Sequence, residues 1–494
     1  MGNDQLILTD EKRWKKRLLL CGASALLFFF SFPPFGAWPI GFVALVPFHV
    51  AVRGARPRNA AFLGFAFGIL SHAALLRWLV GIPVVTWGHI FLLCAILSVY
   101  PAVLALFWSR VADERAAPLW IGAAGALIDW LRGHAGMVAC PWLTIAETQH
   151  TNLALLQWAS IGGEAIVGFF VVVANVAIAQ WIMRNRSLRA SATITLVIVF
   201  LAHVAGGRGL APVSGRDVRV SVVQGDTTSL SNADDAFARF DELTLRAATD
   251  HPDFVMWPES AAGDIESDTL ALFRVRATVD RANVPLLFGS STASRAEPGH
   301  NSLFWMEPGV PMGPPYRKIH LFPYAEYTPR GFARGLGPHM FQTIPGDIRR
   351  TFDLSGIAIA PLICFESMFA DDVRSSALEG RSIIAIGVND AWFGKTGAAE
   401  LHNMVSVFRA VENRRPVVVA SNGGPSQIVD SFGRILVRAR SYAPDVISAT
   451  VPVDDTQSIY RRWGDKAAAV IIGCALLAER LLASLVRLRK PHQH

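Results

Sequence analysis

Of three reactive side chains in this 494-residue sequence, two follow or end short apolar segments and the third lies in a predicted loop. Glu259 comes directly after Val255-Met256-Trp257-Pro258, Lys318 lies in the segment Tyr316 to Leu321, and Cys364 ends an apolar run. A thiol can attack a carbonyl carbon, a carboxylate can take up the thiol proton, and an ammonium can stabilise the oxyanion that forms. The three residue types together predict nucleophilic chemistry at a carbonyl group.

Cys364 is the only cysteine between residues 208 and 465, so no disulfide can form within that region. The other four cysteines, Cys21, Cys94, Cys140 and Cys474, lie within or beside long apolar runs. A single thiol is either a small buried hydrophobic residue or a reactive nucleophile.

The neighbours of Cys364 favour the nucleophile. The apolar run Gly356 to Ile363 predicts a strand, and Phe365-Glu366-Ser367 begins a predicted helix. A strand-to-helix corner exposes a side chain and offers backbone N–H groups to an oxyanion.

The region around these residues alternates short β-branched runs with helical segments, which indicates an α/β domain. Periodicity alone does not give the strand order. The predicted strands are Val218 to Val223, Phe254 to Trp257, Pro285 to Gly289, Ser302 to Trp305, Ile357 to Cys364, Ile383 to Val388, Pro416 to Ser421, Gln427 to Asp430 and Val446 to Val451. The predicted helices are Asp234 to Ala248, Ser267 to Arg281, Asp371 to Glu379 and Ala398 to Asn413.

The rest of the chain is typical of a membrane protein, because 52% of all residues are apolar and only 17% are charged. Eight apolar runs approach the length of about 20 residues that crosses a bilayer as a helix. They are Leu18 to Phe32, Gly36 to Val52, Ala60 to Val80, Gly88 to Trp108, Ala117 to Gly133, Leu153 to Met183, Ala190 to Ala205 and Ala467 to Val486.

Basic residues concentrate in the N-terminal segment, the even-numbered connections between these runs and the C-terminal tail. The positive-inside rule therefore predicts that both termini are cytoplasmic and that the α/β region lies outside the cytoplasm. The net charge of +7 is explained by topology, and a nucleic-acid partner is not expected. The sequence predicts three parts: residues 1–207 with seven spans, the catalytic domain 208–465, and 466–494 with one span and a basic tail.

The three reactive residues and their surroundings resemble the nitrilase superfamily, whose catalytic set is Glu, Lys and Cys in this order. The matching segments are WPES at Glu259, YRKIHLFPYAEYTP at Lys318 and LICFES at Cys364, followed by GVNDAWFG, RAVENRRP and SNGGPSQIVDSFG. The resemblance implies an α-β-β-α sandwich for the α/β domain.

The membrane segments extend the resemblance to the apolipoprotein N-acyltransferase family. FSFPPFGAWPIGF, DWLRG, CPWL and QWASIGGEAIVGFFVVVANVA are similar to that family. The resemblance implies a monomeric enzyme of the bacterial inner membrane with a periplasmic catalytic domain. It would move an acyl chain from a membrane phospholipid through a cysteine thioester to the α-amine of a diacylated apolipoprotein. No metal-ligand spacing or phosphate-binding glycine loop is present, so we expect neither metal nor cofactor.

The same resemblance suggests supporting residues. Glu326 would orient Lys318, and Glu366 and Phe365 would lie beside the thiol; for the two glutamates, helix-terminal or solvated carboxylates are the alternative explanation. Substrate contacts are expected from four further residues, for which a turn or interfacial anchoring is the alternative explanation: Asn389, Trp392, Trp142 and Tyr324.

Two alternative functions remain open. The same three residues would serve a membrane-tethered amidase or nitrilase that uses water as the acceptor. A paralogue associated with conjugal transfer, with a changed substrate, is the other alternative, since Phe365 and Leu401 stand where the family usually has Tyr and Gln.

Overall fold

The protein is described by a computed structural model covering residues 2–82, 85–183, 186–210, 215–227, 230, 232–294, 296–323, 325–328, 341–377 and 380–488. Its contacts divide the chain into two compact units. The first comprises Met1–Arg77, Trp87–Leu210 and Arg462–His494, and the second comprises Trp78–Thr86 and Ala211–Arg461. The sequence analysis did not anticipate that Trp78–Thr86 groups with the second unit.

The first unit is helical. Its helices are α1 (Gly2–Phe30), α2 (Trp38–Gly41), α3 (Val46–Val52), α4 (Pro57–Leu76), α5 (Trp87–Val111), α6 (Ala117–Gly133), α7 (Leu153–Leu156), α8 (Ala159–Ile182) and α9 (Arg186–Arg208). Among the described residues, four helical segments are long and apolar enough to cross a membrane: Pro57–Gly81, Trp87–Val111, Ala159–Ile182 and Leu188–Arg208.

The second predicted span, Gly36 to Val52, is not one helix, because the chain leaves helical structure between α2 and α3. The buried side chain of Asn175, on α8, bonds to the interrupted backbone. Its Nδ2 donates to the carbonyl of Gly41 (2.8 Å), and its Oδ1 accepts from the N–H of Leu45 (2.7 Å). An internal amide that pairs with these groups makes a broken helix tolerable in an apolar environment.

The predicted span Leu153 to Met183 is likewise divided into α7 and α8, and α8 is kinked near its start. Gly162 and Gly163 have non-helical backbone angles, and Gly163 has a φ of +65°, a conformation that glycine adopts without steric cost.

The second unit contains two six-stranded sheets, with strand orders β12-β1-β2-β3-β4-β5 and β11-β10-β9-β8-β7-β6. The strands are β1 (Arg216–Gln224), β2 (Phe254–Met256), β3 (Leu286–Ser291), β4 (Asn301–Met306), β5 (Tyr316–Arg317), β6 (Phe352–Leu354), β7 (Ile357–Ile363), β8 (Ser382–Val388), β9 (Val417–Ser421), β10 (Gln427–Val429), β11 (Ile435–Arg438) and β12 (Asp445–Val453). The helices that follow α9 are α10 (Ala233–Ala248), α11 (Thr269–Ala282), α12 (Ala370–Ser376), α13 (Ala398–Asn413), α14 (Ile459–Trp463) and α15 (Asp465–Leu488), the last of which belongs to the first unit.

Alternating strand residues build three hydrophobic layers. In β8, Ile383 and Ala385 join a core shared by both sheets, whereas Ile384 and Ile386 pack with residues of α12 and α13. On the first sheet, residues such as Val255 pack with α10 and α11. The two sheets share an inner core and each packs helices on its outer face, so the domain has four layers in the order α-β-β-α, as the sequence resemblance implies.

All nine predicted strands and all four predicted helices of this domain are confirmed within a few residues, except that the predicted end of the third helix, Glu379, lies outside the described residues. The strands that the sequence analysis missed are β5, β6 and β11, and each lies at the edge of a sheet. Edge strands are short and partly solvated, so they carry a weak apolar signal.

Candidate active site

Cys364 stands at the corner where β7 ends and a 3-10 turn, Cys364–Met368, begins. Its φ is +52°, which lies in the left-handed region that side-chain-bearing residues rarely adopt. Such a conformation costs of order 1–3 kcal/mol and persists where the surrounding structure imposes it. The corner therefore holds the thiol in a fixed and strained position.

Glu259 follows β2 and is 8% exposed. Its Oε1 accepts from Asn301 Nδ2 (2.7 Å), and its Oε2 accepts from the backbone N–H of Asn389 (2.9 Å). Gly289 of β3 lies so close that an added Cβ would be 2.4 Å from the Pro258 carbonyl oxygen. The close approach of β3 and these two donors fix the carboxylate.

Lys318 follows β5 and is 2% exposed. Its Nζ lies 2.8 Å from Glu326 Oε2 and 3.7 Å from Glu259 Oε1. Asn301 Nδ2, which binds Glu259, also donates to Glu326 Oε1 (3.2 Å). One ammonium and two carboxylates, from the loop after β2 and the loop after β5, are thus buried together, and Asn301 links the carboxylates.

These charges and the thiol influence one another. Burial raises the pKa of Cys364 well above its usual value; the Glu259 charge raises it further, and Lys318 opposes this. Burial also raises the pKa of Glu259, while the Lys318 ammonium lowers it. For Lys318, burial lowers the pKa, but the carboxylates of Glu326 and Glu259 outweigh it and raise the pKa overall. The site therefore holds a protonated thiol, a permanent ammonium and a carboxylate of raised basicity.

Glu366 joins the lysine loop to the cysteine corner. Its Oε1 accepts from the backbone N–H groups of Ile319 (2.8 Å) and His320 (3.1 Å), which directly follow Lys318. Its Oε2 accepts from the N–H of Ile363 (2.8 Å), which directly precedes Cys364. The Tyr316 hydroxyl donates to the same carboxylate (2.8 Å). The carboxylate thus fixes both loops through their backbones.

The remaining predicted site residues fall into different surroundings. Phe365 packs edge-on against Phe322, with ring centroids 4.9 Å apart. Asn389 reaches Glu259 through its backbone N–H, and Trp392 is 44% exposed with its ring 5.5 Å from that of Phe341. Trp142 belongs to the first unit, where it is buried, and Tyr324 lies outside the described residues.

Both halves of the chain match known families. Residues 24–177 match the apolipoprotein N-acyltransferase N-terminal domain, and residues 219–461 match the carbon-nitrogen hydrolase family. An apolipoprotein N-acyltransferase of Geobacter metallireducens is 30% identical, covering 94% of this chain and 95% of that protein. One from Ralstonia nicotianae is 28% identical, covering 93% and 91%. The chain belongs to the apolipoprotein N-acyltransferase family.

Solved structures are similar to part of this N-acyltransferase family member. An amidase of the nitrilase superfamily from Nesterenkonia is 18% identical and covers 51% of this chain and 96% of its own, with a TM-score of 0.39. The sequence-based assignment to the nitrilase superfamily and to an acyltransferase family is confirmed by the family matches and the relatives.

Sequence reasoning missed three residues of this N-acyltransferase family site: Asn301, Tyr316 and Asp390. Asn301 bridges the two carboxylates, Tyr316 binds Glu366, and Asp390 pairs with His402 (Oδ1 to Nδ1, 2.8 Å). The available signal was position: Asn301 and Tyr316 are the first residues of β4 and β5, and Asp390 begins the turn after β8.

Proposed function

We propose that this protein transfers an acyl chain from a membrane phospholipid, through a thioester on Cys364, to the N-terminal α-amine of a diacylglyceryl-cysteine lipoprotein. Family membership supports the reaction class. The observation that carries the assignment of residues is the buried grouping of Lys318 with Glu259 and Glu326, whose charges act on the thiol.

In the first half-reaction, Glu259 takes the thiol proton as sulfur attacks the ester carbonyl. The raised thiol pKa supports this order, because a thiol that stays protonated needs a base at the moment of attack. The raised pKa of Glu259 makes its carboxylate a better proton acceptor than an ordinary one. The S–C bond forms, the C–O ester bond breaks, and the proton passes from Glu259 to the departing lysophospholipid oxygen.

Lys318 stabilises the oxyanion of the tetrahedral intermediate, together with the backbone N–H of Phe365. Because neighbouring carboxylates hold Lys318 in its ammonium form, it donates without losing its charge. A well-placed donor of this kind contributes about 3–4 kcal/mol to the transition state.

In the second half-reaction, the lipoprotein amine attacks the acyl-thioester. Glu259 takes a proton from the attacking nitrogen, the new C–N amide bond forms, and the S–C bond breaks. The proton then passes to the departing sulfur and restores the thiol. Every proton is returned, so no cofactor is required for the balance.

We assign positioning roles to the supporting residues. Glu326 orients Lys318 through the 2.8 Å contact, and Glu366 fixes the backbones beside Lys318 and Cys364. Phe365 and Phe322 present an apolar surface beside the thiol that suits an acyl chain. Trp392, being exposed, and Trp142 are proposed as further lipid contacts.

We further propose eight membrane spans, with residues 208–465 in the periplasm and both termini in the cytoplasm. Contacts within the first unit support the proposal that the basic segments lie on one side of the membrane. Arg17 donates to the Arg53 carbonyl (3.1 Å), Arg53 pairs with Asp113, and Ser191 donates to the Arg115 carbonyl (3.1 Å). The N-terminal segment and three even-numbered connections therefore meet at one end of this unit, as the positive-inside rule requires.

The proposed division into 1–207, 208–465 and 466–494 follows from this topology, and we propose that the enzyme acts as a monomer in the inner membrane. The proposed topology is tested with a fused reporter that is active only outside the cytoplasm. Fusion after Gly209 should be active, and fusion after Arg56 should be silent. The reverse pattern would place the catalytic domain in the cytoplasm and contradict the proposal.

The decisive test of function compares acceptors. Purified enzyme is incubated with a phospholipid of defined acyl chains and a diacylated lipopeptide, and the products are measured by mass spectrometry. We expect an N-acylated lipopeptide and a lysophospholipid in equal amounts. The control lipopeptide carries an acetylated α-amine and should remain unmodified. Release of free fatty acid at the same rate with either peptide would instead identify a hydrolase.

A further inference from the structure

A second buried charge cluster lies behind the cysteine corner. The Nδ1 of His402, on α13, is 2.8 Å from Asp390 Oδ1, and its Nε2 is 3.3 Å from both the Cys364 carbonyl oxygen and Ser367 Oγ. His402 is 6% exposed and Asp390 is 1% exposed. The mechanism described above does not use this pair.

The neighbours of His402 Nε2 indicate whether this nitrogen donates or accepts a hydrogen bond. The Ser367 hydroxyl has one hydrogen, and it donates to the Cys364 carbonyl (2.9 Å). The carbonyl neighbour of His402 Nε2 can only accept, and the Ser367 hydroxyl also accepts when its hydrogen goes to that carbonyl. In the imidazolium form, Nδ1 donates to Asp390 and Nε2 donates to these two neighbours. The Nε2–H bond is then shared between the Cys364 carbonyl oxygen and Ser367 Oγ, which agrees with the two distances of 3.3 Å.

Asp390 favours the imidazolium form of His402, in which both ring nitrogens carry hydrogen. Burial lowers the pKa of His402, but the Asp390 carboxylate, the hydrogen bond to the Cys364 carbonyl and the Glu259 charge outweigh burial and raise it. The Ser421 hydroxyl donates to the other oxygen of Asp390 (3.1 Å), so both oxygens of this carboxylate have partners.

The Cys364 carbonyl thus accepts two hydrogen bonds, from Ser367 and from His402. This carbonyl shares one planar peptide unit with the N–H of Phe365, and in a trans peptide the two groups point in opposite directions. Fixing the carbonyl therefore fixes the direction of the N–H. Hydrogen bonds at the oxygen also polarise the peptide and strengthen its N–H as a donor.

We infer that Asp390 and His402 are positioning residues that hold and polarise the Cys364–Phe365 peptide, so that the Phe365 N–H donates to the reaction oxyanion. This inference rests on the proposed thioester function. It explains how the left-handed backbone at Cys364 is maintained, since two donors anchor the carbonyl that follows it.

This positioning role predicts a specific kinetic effect on the two half-reactions. An oxyanion forms at the same carbon when sulfur attacks the phospholipid and when the amine attacks the thioester. Weakening the Phe365 N–H must therefore slow both half-reactions by a similar factor. The phospholipid concentration that gives half-maximal acylation should stay unchanged, because the oxyanion is absent from the bound ground state.

The test uses single-turnover rates per folded enzyme for three variants. His402→Leu removes the donor at similar size, and we expect both half-reactions to fall by about 10- to 100-fold, less than the loss of a whole oxyanion donor. His402→Gln keeps an N–H donor and should recover most of the rate. Ser367→Ala removes the other donor to the same carbonyl with the loss of one oxygen, and should slow both half-reactions by about 3- to 10-fold.

Asp430→Asn is the matched control. Asp430 is 4% exposed and lies in the turn between β10 and β11, where its Oδ1 accepts from the backbone N–H groups of Phe432 and Arg434 (2.9 Å each), so the variant disturbs a buried carboxylate away from the corner. It should lower the unfolding temperature and leave both rates unchanged. If His402→Leu does not fold, Ser367→Ala and His402→Gln still decide the matter.

Unchanged rates in His402→Leu or Ser367→Ala, or a defect confined to one half-reaction, would overturn the inference. Equal losses in His402→Leu and His402→Gln would do the same, because they would show that the donor is irrelevant. Failure of the proposed function looks different: the wild-type enzyme itself would then form no acyl-enzyme.

Discussion

Two neighbouring parallel strands of the second sheet, β7 and β8, end in the same way and serve the site differently. Each is followed by a 3-10 turn, Cys364–Met368 after β7 and Asp390–Phe393 after β8. The first turn presents a thiol on a strained backbone. The second contributes the backbone N–H of Asn389 to Glu259 and the carboxylate of Asp390 to His402.

The difference separates residues that react from residues that hold the reacting groups in place. The β7 end depends on the chemistry of one side chain, so a change of one atom should remove its function. The β8 end acts on Glu259 through a main-chain group that survives most substitutions. Changes at the two ends should therefore have effects of very different size.

The largest effect is expected at the β7 end. Cys364→Ser should reduce acyl-enzyme formation by at least about 10³-fold while leaving the fold intact, because oxygen is a much poorer nucleophile than sulfur at similar size. Capture of radiolabelled acyl chain on the protein measures it. Cys474→Ser replaces an exposed thiol of α15 and should behave as wild type. Labelling of the Cys364 variant at the wild-type rate would refute the assignment.

Lys318→Met should lower both half-reactions by about 10²–10³-fold, the usual cost of losing one oxyanion donor. Lys318→Arg should recover little, because a planar guanidinium does not reproduce the position of the ammonium between Glu259 and Glu326. Pre-steady-state kinetics gives both rates, and thermal unfolding controls for stability. Full activity in the arginine variant would show that only charge is needed.

The pH dependence of acylation tests the role of Glu259. Its carboxylate form is the active base, so the rate should fall as pH decreases through its pKa, which burial raises above the usual 4.5. On the alkaline side, the thiol pKa lies well above 9.0 and the Lys318 pKa is raised, so the rate should not decline up to about pH 9. Single-turnover acylation from pH 4.5 to 9 checks both limbs. An acidic limb that persists unchanged in Glu259→Gln would contradict the assignment.

Glu366→Gln should have an intermediate effect. The amide keeps the size of the side chain but replaces an acceptor oxygen with a donor, which faces backbone N–H groups that already donate. We expect a loss of about 1–3 kcal/mol in unfolding free energy and roughly a tenfold slower acylation, since both active-site loops become less well fixed. Chemical denaturation and acylation kinetics measure the two effects. Normal values of both would mean that the carboxylate does not join the loops.

The smallest effect is expected at the β8 end. Asn389→Ala keeps the backbone N–H that binds Glu259 and loses only a weak contact between Asn389 Oδ1 and Asn422 Nδ2 at 3.4 Å. Acylation should change by less than about threefold. Steady-state turnover of the lipopeptide measures it. A loss as large as that of Lys318→Met would show that the side chain contacts substrate and would erase the distinction between the two strand ends.

The sequence indicated the reacting residues better than the residues that hold them in place. Glu259 and Cys364 follow or end apolar runs, so their positions at strand ends were readable, whereas β5, which precedes Lys318, was missed and the lysine was indicated by its motif. The contributions of Asn389 and Glu366 depend on backbone N–H groups, which every residue except proline possesses and which leave no mark in the sequence. Asn301 was not identified as a site residue, because the other residues of its strand indicated only a hydrophobic core.

The fold, too, was predicted only where local sequence patterns determine it. The alternating strands were predicted well, and four of the eight predicted spans correspond to long apolar helices among the described residues, whereas the break between α2 and α3 was not predicted. That break depends on Asn175, which lies more than 100 residues away in sequence and bonds to the interrupted backbone. Local periodicity carries no information about such a partner.

The most direct test of the central claim is the mass of the Cys364 peptide after the enzyme meets phospholipid alone. With a lipid of one defined acyl chain, proteolysis and mass spectrometry should find that chain on Cys364, removable by neutral hydroxylamine. Adding a diacylated lipopeptide should then clear the adduct at the rate at which N-acylated lipopeptide appears. An unmodified Cys364 peptide during active turnover, or an adduct that the lipopeptide cannot clear, would contradict a thioester on the reaction path.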